Sequence, residues 1–471
     1  MAGRMALAVV LGLLLFGCAH EGTDSRSGEG AEFGHAGDGF VVGLSDLHFD
    51  PFYDPTIVPD LLSSGAGKWR KIFEGSKVTG YGEYGRDSNF PLLLSALRHA
   101  GKKGRRADFV VISGDFLGHG FNENYYKYAG NKDPKGLQEF IDKTMEFMAG
   151  LIVDHFPDIP IFPALGNEDA YCGDYRVEPN GPFLKKTAGI WRKLLRDRRN
   201  QEAFGNTFPI GGYYSVHSPR EWEHRLIILN TVFMSSNYQN ACGKPQDIPA
   251  ADELRWLADQ LQDAAAKREK VWLIYHIPPG IDTYGSAHAS DGRVVTFWQQ
   301  AYTQPYLDVL DKYRDTVVLT LAGHSHMDDV RLLSLGSRLP AYLLVTPAIS
   351  PIFGNNPGFH MFAYHPRSFA LQDYATWMFN LPAASGEATW KEEYRFSQAY
   401  GVSPVNGATL ELVWHKLEDP SGRSRTTYIR NYNVSDTAAP PITDKTWPVY
   451  WCAIGYPTET AFRACLKPVD R

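Results

Sequence analysis

The sequence predicts a layered α/β fold, and three observations carry that prediction. From residue 40 onward, short apolar runs of strand length alternate with longer amphipathic runs of helix length. Five of the short runs lead straight into side chains of metal-ligand type, at the strand ends where open α/β sheets build their sites. Past about residue 380 the texture changes to aromatic, strand-and-turn stretches, which reads as a small C-terminal extension.

Taken in order, the expected strands are Phe40–Ser45, Asp108–Ser113, Ile161–Leu165, Leu226–Asn230, Val271–Tyr275, Val317–Leu321 and Tyr342–Val345. Helical spacing of apolar residues predicts helices over Phe90–Gly101, Leu137–Phe156, Asp252–Lys267 and Gln304–Lys312. No internal repeat interrupts this order. A chain of 471 residues with 44% hydrophobic content can bury one large catalytic domain and a smaller appended one. A net charge of −6 without a basic stripe argues against duplex nucleic acid as the natural partner. The short basic clusters Lys68–Lys71 and Lys102–Arg106 read as solvated faces.

The N-terminus predicts export. Arg4 precedes an apolar segment, Met5 to Phe16, too short for a comfortable membrane span. The sequence Leu15-Phe16-Gly17-Cys18 resembles a bacterial lipoprotein signal, with an ordinary secretory signal as the alternative. On the first reading residues 1–17 are removed and Cys18 is acylated, so that membrane contact is through a lipid anchor at the cell envelope. Residues 18–39, rich in Gly, Ser and charge, then form a flexible tether. The catalytic domain is expected over 40–380 and the extension over 381–471. The remaining cysteines, Cys172, Cys242, Cys452 and Cys465, suggest two disulfides with three pairings open. Closeness in sequence favours Cys452–Cys465, which leaves Cys172–Cys242.

The strand-end residues are Asp46 and His48 after the first strand, Asp115 after the second and Asn167 after the third. His276 follows Val271–Tyr275, and His324 and His326 follow Val317–Leu321. On extended backbone, Asp46 and His48 would point to one side, and so would His324 and His326. Each group alone reads as a turn, a cap or a buried histidine. Together, in chain order and each after a strand, they read as one convergent site.

The set Asp46-x-His48, Gly114-Asp115, Gly166-Asn167, His276 and Gly323-His324-Ser325-His326 resembles the calcineurin-like metallophosphoesterases. Four further stretches resemble the acid sphingomyelinase-like phosphodiesterase branch: SDLHFDPFYDP at 45–55, YGEYGRDSNFPLL at 81–93, TPAISPIFGNNPGF at 346–359 and WKEEYRFSQAYG at 390–401. The resemblance implies a four-layer β-sandwich flanked by helices, with the small C-terminal extension appended, and a two-metal centre. It assigns Asp46, His48, Asp115 and His326 to one metal, and Asp115, Asn167, His276 and His324 to the other. Imidazoles, carboxylates and a carboxamide suit zinc, with manganese or iron also accommodated. Two such ions bind phosphate oxygens and activate a bridging water as hydroxide, so no side-chain nucleophile is required. The sphingomyelinase's saposin module is expected to be missing here, which weakens a bilayer lipid as substrate.

One position departs from the family. A histidine usually follows Gly-Asn in this loop and is thought to act as the acid or to bind phosphate; here Glu168 stands in its place. Three readings stay open. Glu168 is itself the acid, kept protonated by burial; or His119, which the branch also places in its active site, takes over; or efficient catalysis is lost. His119 is the preferred acid. The expected function is an exported phosphodiesterase acting on a phosphorylated small molecule. The alternatives are an endopolyphosphatase-like hydrolase with a polyphosphate substrate, or a metal-containing lipoprotein that binds phosphorylated ligands with weak catalysis.

Overall fold

Twelve strands in the described residues form two six-stranded sheets. The computed structural model describes residues 33–35, 37–130, 132–220, 224–239, 249–335, 340–381, 388–435 and 438–467. The expected leader, Cys18 and most of the tether lie outside the described residues. The strands are β1 (Gly39–Leu44), β2 (Phe109–Ile112), β3 (Ile161–Pro163), β4 (Tyr214–His217), β5 (Arg225–Ile228) and β6 (Val271–Ile274). They continue with β7 (Val317–Ala322), β8 (Asp329–Leu332), β9 (Tyr342–Val345), β10 (Gly358–Tyr364), β11 (Leu371–Phe379) and β12 (Trp390–Arg395). One sheet runs β12-β11-β10-β1-β2-β3 and the other β4-β5-β6-β7-β9-β8.

The strands that carry the site are parallel: β1 with β2 and β2 with β3 in one sheet, β6 with β7 in the other. Their carboxyl ends therefore share one edge of each sheet. The inner faces meet around Trp272 of β6. Its ring lies 5.7 Å from Phe109 of β2, 5.5 Å from Tyr364 of β10 and 4.6 Å from Phe369. The indole N–H donates to the Phe369 carbonyl at 2.7 Å, so the buried ring leaves no polar atom unpaired. Helices cover the outer faces. Helix Phe90–Lys103 starts where Asn89 accepts from the Leu92 N–H, and it buries Leu93, Ala96, Leu97 and Ala100. His99 on this helix rests on Trp377 of β11 at 5.2 Å, and Trp390 of β12 donates to Ser95. On the second sheet, Tyr306 of helix Gln300–Lys312 donates to Tyr275 at 3.1 Å.

The expected strands and helices are all present, all but Tyr342–Val345 with shifted ends, and β4, β8, β10, β11 and β12 are additional. β10, GFHMFAY, is buried at every residue. It therefore lacks the alternation that separates a strand from a buried helix. The aromatic, strand-and-turn texture expected past residue 380 is corrected. After β12, which completes the first sheet, the chain forms helices Gly407–Lys416, Arg423–Tyr432, Trp447–Gly455 and Glu459–Leu466. Leu410, Val413 and Trp414 are buried at helical spacing, as are Tyr428 and Tyr432, so burial period overrides the β propensity of the aromatics. Cys452 and Cys465 are disulfide-bonded and staple the last two helices. Cys172 is also disulfide-bonded, while Cys242, its expected partner, lies outside the described residues.

Glu253 ties helix Pro249–Lys267 to the loop after β5: its carboxyl accepts from the Asn230 N–H at 2.6 Å. The next residue, Thr231, accepts from the Ile277 N–H and so braces the turn that carries His276. Full burial, only partly offset by that N–H, pushes the Glu253 carboxyl up to about 8. An acid whose folded value is raised contributes stability below its unfolded value, about 4.5, and that contribution is lost as pH rises through about 8. Glu253→Gln is expected to flatten the loss of stability between those limits, by on the order of a few kcal/mol, in urea melts across pH.

Candidate functional site

Five loops deliver the seven expected ligands to the shared edge of the sheets. Backbone bonds lace these loops together: Asp46 N–H to Gly114 O at 3.1 Å, His48 N–H to Asp115 O at 2.9 Å and Gly323 N–H to His276 O at 3.0 Å. The expectation of extended backbone at Asp46-x-His48 and His324-x-His326 is corrected. Asp46 (φ 48), His48 (φ 37), Asp115 (φ 54), His324 (φ 73) and His326 (φ 64) all have positive φ. Each chain turns sharply as it leaves its strand, and the turn aims the side chain inward. Asp and His tolerate this region better than most residues.

The donor atoms converge in two groups. In the first, His48 Nε2 lies 3.7 Å from Asp46 Oδ1, 3.3 Å from Asp115 Oδ2 and 3.1 Å from His326 Nε2. His326 Nε2 is 3.4 Å from Asp46 Oδ1. In the second, His276 Nε2 lies 3.0 Å from Asp115 Oδ2, 3.0 Å from Asn167 Oδ1 and 3.3 Å from His324 Nδ1. Asp115 Oδ2 belongs to both groups, while its Oδ1 accepts from the Glu168 N–H at 2.9 Å.

The tautomers follow from the outer bonds. His48 Nδ1 donates to Leu117 O at 2.9 Å and His276 Nδ1 to Ser113 O at 2.6 Å, so each neutral ring turns a lone pair toward the centre. At Asp115 and Asn167 acceptor then faces acceptor, which is the arrangement that divalent cations satisfy; the donor set fits two of them. With protons alone, the charges divide. Burial works against charge on His48 and His276, but Asp115 and its neighbours outweigh it and push them up to about 10 and about 9. Burial and the adjacent imidazoles drive His324 and His326 down to about 3. Burial opposes ionisation of Asp115 too, yet His276 and His48 hold it well below the usual carboxylate range.

The loop at 166–169 divides its work among three side chains. Asn167 turns its carbonyl oxygen to His276. Asp169 turns away from the centre and braces the loops: one oxygen accepts from the Phe116 and Leu117 N–H groups, the other from Gly166. Glu168 lines the open cavity, and with protons alone at the centre burial together with Asp174 and Asp115 pushes its carboxyl up to about 10. His119 stands beside the first group, its ring stacked on His48 at 4.1 Å. His119 Nδ1 donates to Asp87 at 3.0 Å, which leaves Nε2 for the cavity. Asp87 also accepts from the His119 N–H and from Ser350. The sequence reading missed Asp87, although it lies within the stretch at 81–93 that carries the resemblance.

Residues 41–328 match the calcineurin-like phosphoesterase family, and residues 340–471 match the acid sphingomyelin phosphodiesterase C-terminal region. The chain belongs to the calcineurin-like phosphoesterase family. Within it, the chain falls in the acid sphingomyelinase-like phosphodiesterase branch. It is 29% identical to the cyclic GMP-AMP phosphodiesterase SMPDL3A of Bos taurus, over 87% of each chain. It is 28% identical to sphingomyelinase phosphodiesterase C of Dictyostelium discoideum, over 90% of this chain and 92% of that one. A solved dimetal phosphatase from Danio rerio superposes with a TM-score of 0.40 at 13% identity, covering 75% of this chain and 98% of that one.

In this phosphoesterase the site opens into a cavity of about 780 Å³. Asp115, Asn167, Glu168, His119, His324 and His326 form its floor. Aromatic walls rise from it: Phe353 packs edge-on to His326 at 4.6 Å and Phe297 to His324 at 5.2 Å. Tyr284 and Phe353 stand 54% and 48% exposed at the mouth. The C-terminal helices add Tyr432 and Tyr450 to the wall, a contribution that no local sequence signal announces. No Lys or Arg lines the cavity among the described residues, whereas Asp174 and Asp282 do.

Gly166 sits where a Cβ would come within 2.0 Å of Asp115 Oδ1. Gly166→Ala is expected to displace the shared carboxylate and weaken metal binding at least about tenfold, measured by competitive chelation, with far-UV circular dichroism unchanged.

Proposed function

We propose that the phosphoesterase is an exported two-metal phosphodiesterase for small organic phosphodiesters, with His119 as the acid. The single observation that carries the reading is Asp115, whose one buried oxygen faces both His48 and His276. In this reading Asp46, His48, Asp115 and His326 hold one ion, and Asp115, Asn167, His276 and His324 hold the other. When bound, divalent ions such as zinc supply Lewis-acid polarisation of the phosphoryl oxygens and a water of lowered pKa. Asp87 holds the ring by its Nδ1–H, and in the imidazolium form His119 passes the Nε2 proton to the departing oxygen, ending as the neutral ring with Nδ1–H still on Asp87. Glu168 occupies the family's usual histidine position beside Asp115, and its burial works against the charge that would repel a phosphodiester.

The cavity supports the substrate class. Aromatic walls suit a flat group carried by the substrate, such as the nucleobase of a nucleotide diester. The want of Lys and Arg among the described lining residues weighs against polyphosphate, whose repeated charge needs them. The relatives named as a cyclic GMP-AMP phosphodiesterase and a sphingomyelinase phosphodiesterase lend the diester preference support. Export is supported by the Arg4–Cys18 segment and by the Cys452–Cys465 disulfide, a bond that persists in oxidising compartments. We place the leader at 1–17, a lipid anchor at Cys18 with a tether to 39, the catalytic domain at 40–380 and the extension at 381–471.

The test is hydrolysis of bis-p-nitrophenyl phosphate by zinc-, manganese- or iron-loaded protein, beside p-nitrophenyl phosphate and tripolyphosphate. Asp115→Asn is expected to abolish turnover, and His119→Ala to lower kcat by about 10²–10⁴-fold. Asp87→Asn should lower kcat with KM nearly unchanged, and Glu168→Gln should retain most activity. Wild-type protein that binds metal yet turns over no diester would overturn the reading. Faster cleavage of tripolyphosphate than of the diester would favour the polyphosphatase alternative.

A further inference from the structure

We propose that the segment from Tyr171 to Val177 is a positioning arm that sets the affinity of one metal site, the Asp115/Asn167/His276/His324 site, and leaves the other unchanged. The proposal rests on the two-metal reading above. Two consecutive arm residues each address one ligand of that site. Asp174 Oδ1 accepts from Asn167 Nδ2 at 2.9 Å, which fixes the amide with its oxygen toward His276 Nε2 at 3.0 Å. An amide without that acceptor can rotate and present its NH₂ group, which cannot ligate a cation. The Tyr175 hydroxyl lies 3.4 Å from His324 Nε2, and His324 Nδ1 faces His276 Nε2 at 3.3 Å. The Tyr175 N–H also donates to Asn167 O at 2.9 Å, so the arm grips this ligand at both backbone and side chain.

The arm itself is held on both flanks. Cys172 is disulfide-bonded, Asn122 donates to Tyr171 O at 3.1 Å, and the Tyr171 hydroxyl donates to Asp142 at 2.7 Å. Beyond Tyr175, the Arg176 guanidinium donates to Gln239 Oε1 at 3.1 and 2.9 Å, and the Gln239 N–H returns to Tyr175 O at 3.3 Å. The other site is oriented from elsewhere: His48 by Leu117 O, and Asp46 by the His324 N–H and the Ser45 hydroxyl. An arm clamped at its ends and touching two ligands of one site is a selective device. A merely stabilising loop would act on both sites alike.

The test is calorimetric titration of zinc into metal-free full-length protein, with thermal melts alongside. Wild type is expected to bind two equivalents. Asp174→Ala and Tyr175→Phe should each weaken one binding event by about ten- to a hundredfold and leave the second unchanged. Asp174→Asn, which keeps a carbonyl acceptor, should restore it. Equal weakening of both events, no weakening of either, or an Asp174→Asn that behaves like Asp174→Ala would overturn the arm. Fewer than two equivalents in wild type would overturn the two-metal reading, and this proposal with it.

Discussion

The buried carboxylate of Asp115 sets the terms for the whole molecule. One of its oxygens faces imidazoles from both sheets, His48 at 3.3 Å and His276 at 3.0 Å. A carboxylate taken from water costs several kcal/mol unless positive charge and hydrogen bonds replace the solvent. That replacement comes from two sheets at once, so their carboxyl edges must meet and their spacing must hold. The aromatic contact around Trp272 provides the spacing from within the sandwich. The bond from His276 to Ser113 O ties one edge to the other directly. Core and site are thus parts of one constraint.

Holding that geometry also stores strain. Asp46, His48, Asp115, His324 and His326 all occupy positive φ, at a cost of about 1–3 kcal/mol each. The laced backbone bonds and the bracing carboxylate of Asp169 over-determine these turns, so the loops cannot relax outward. Glycine precedes Asp115, Asn167 and His324 for a steric reason. A Cβ at Gly323 would strike Ser45 and Asp46, as one at Gly166 would strike Asp115.

The C-terminal region reaches the site, where Tyr432 and Tyr450 line the cavity. Arg331 on β8 donates to Asp329 at 2.7 Å and to the carbonyls of Ile281 and Ala453 at 3.2 Å each. Tyr428 donates to Asp329 from the helix that also carries Tyr432. This buried network joins the strand after the His326 loop to the helices that wall the cavity. A buried arginine with its partners satisfied fixes geometry more than it adds stability. The network therefore ties the cavity wall to the strand that follows His326.

By itself, the sequence determined the strands that carry the ligands, the residue types at their ends and the chain order that identifies the family. Those features are local: apolar runs, glycine before ligand and a strand end are all read within a few residues. It also determined that Glu168 stands where histidine is usual. Only the tertiary structure decided that the ligand pairs sit on left-handed turns, that Asp87 orients His119, and that Asp174 and Tyr175 address Asn167 and His324. It likewise decided that aromatic stretches after β12 become helices lining the cavity. Most of these depend on distant partners: Tyr175 and His324 are 149 apart in the chain and His119 and Asp87 are 32 apart, while Asp174 and Asn167, only 7 apart, meet because the loop folds back. Local pattern carries no record of such contacts, because burial and partner are properties of the packed fold.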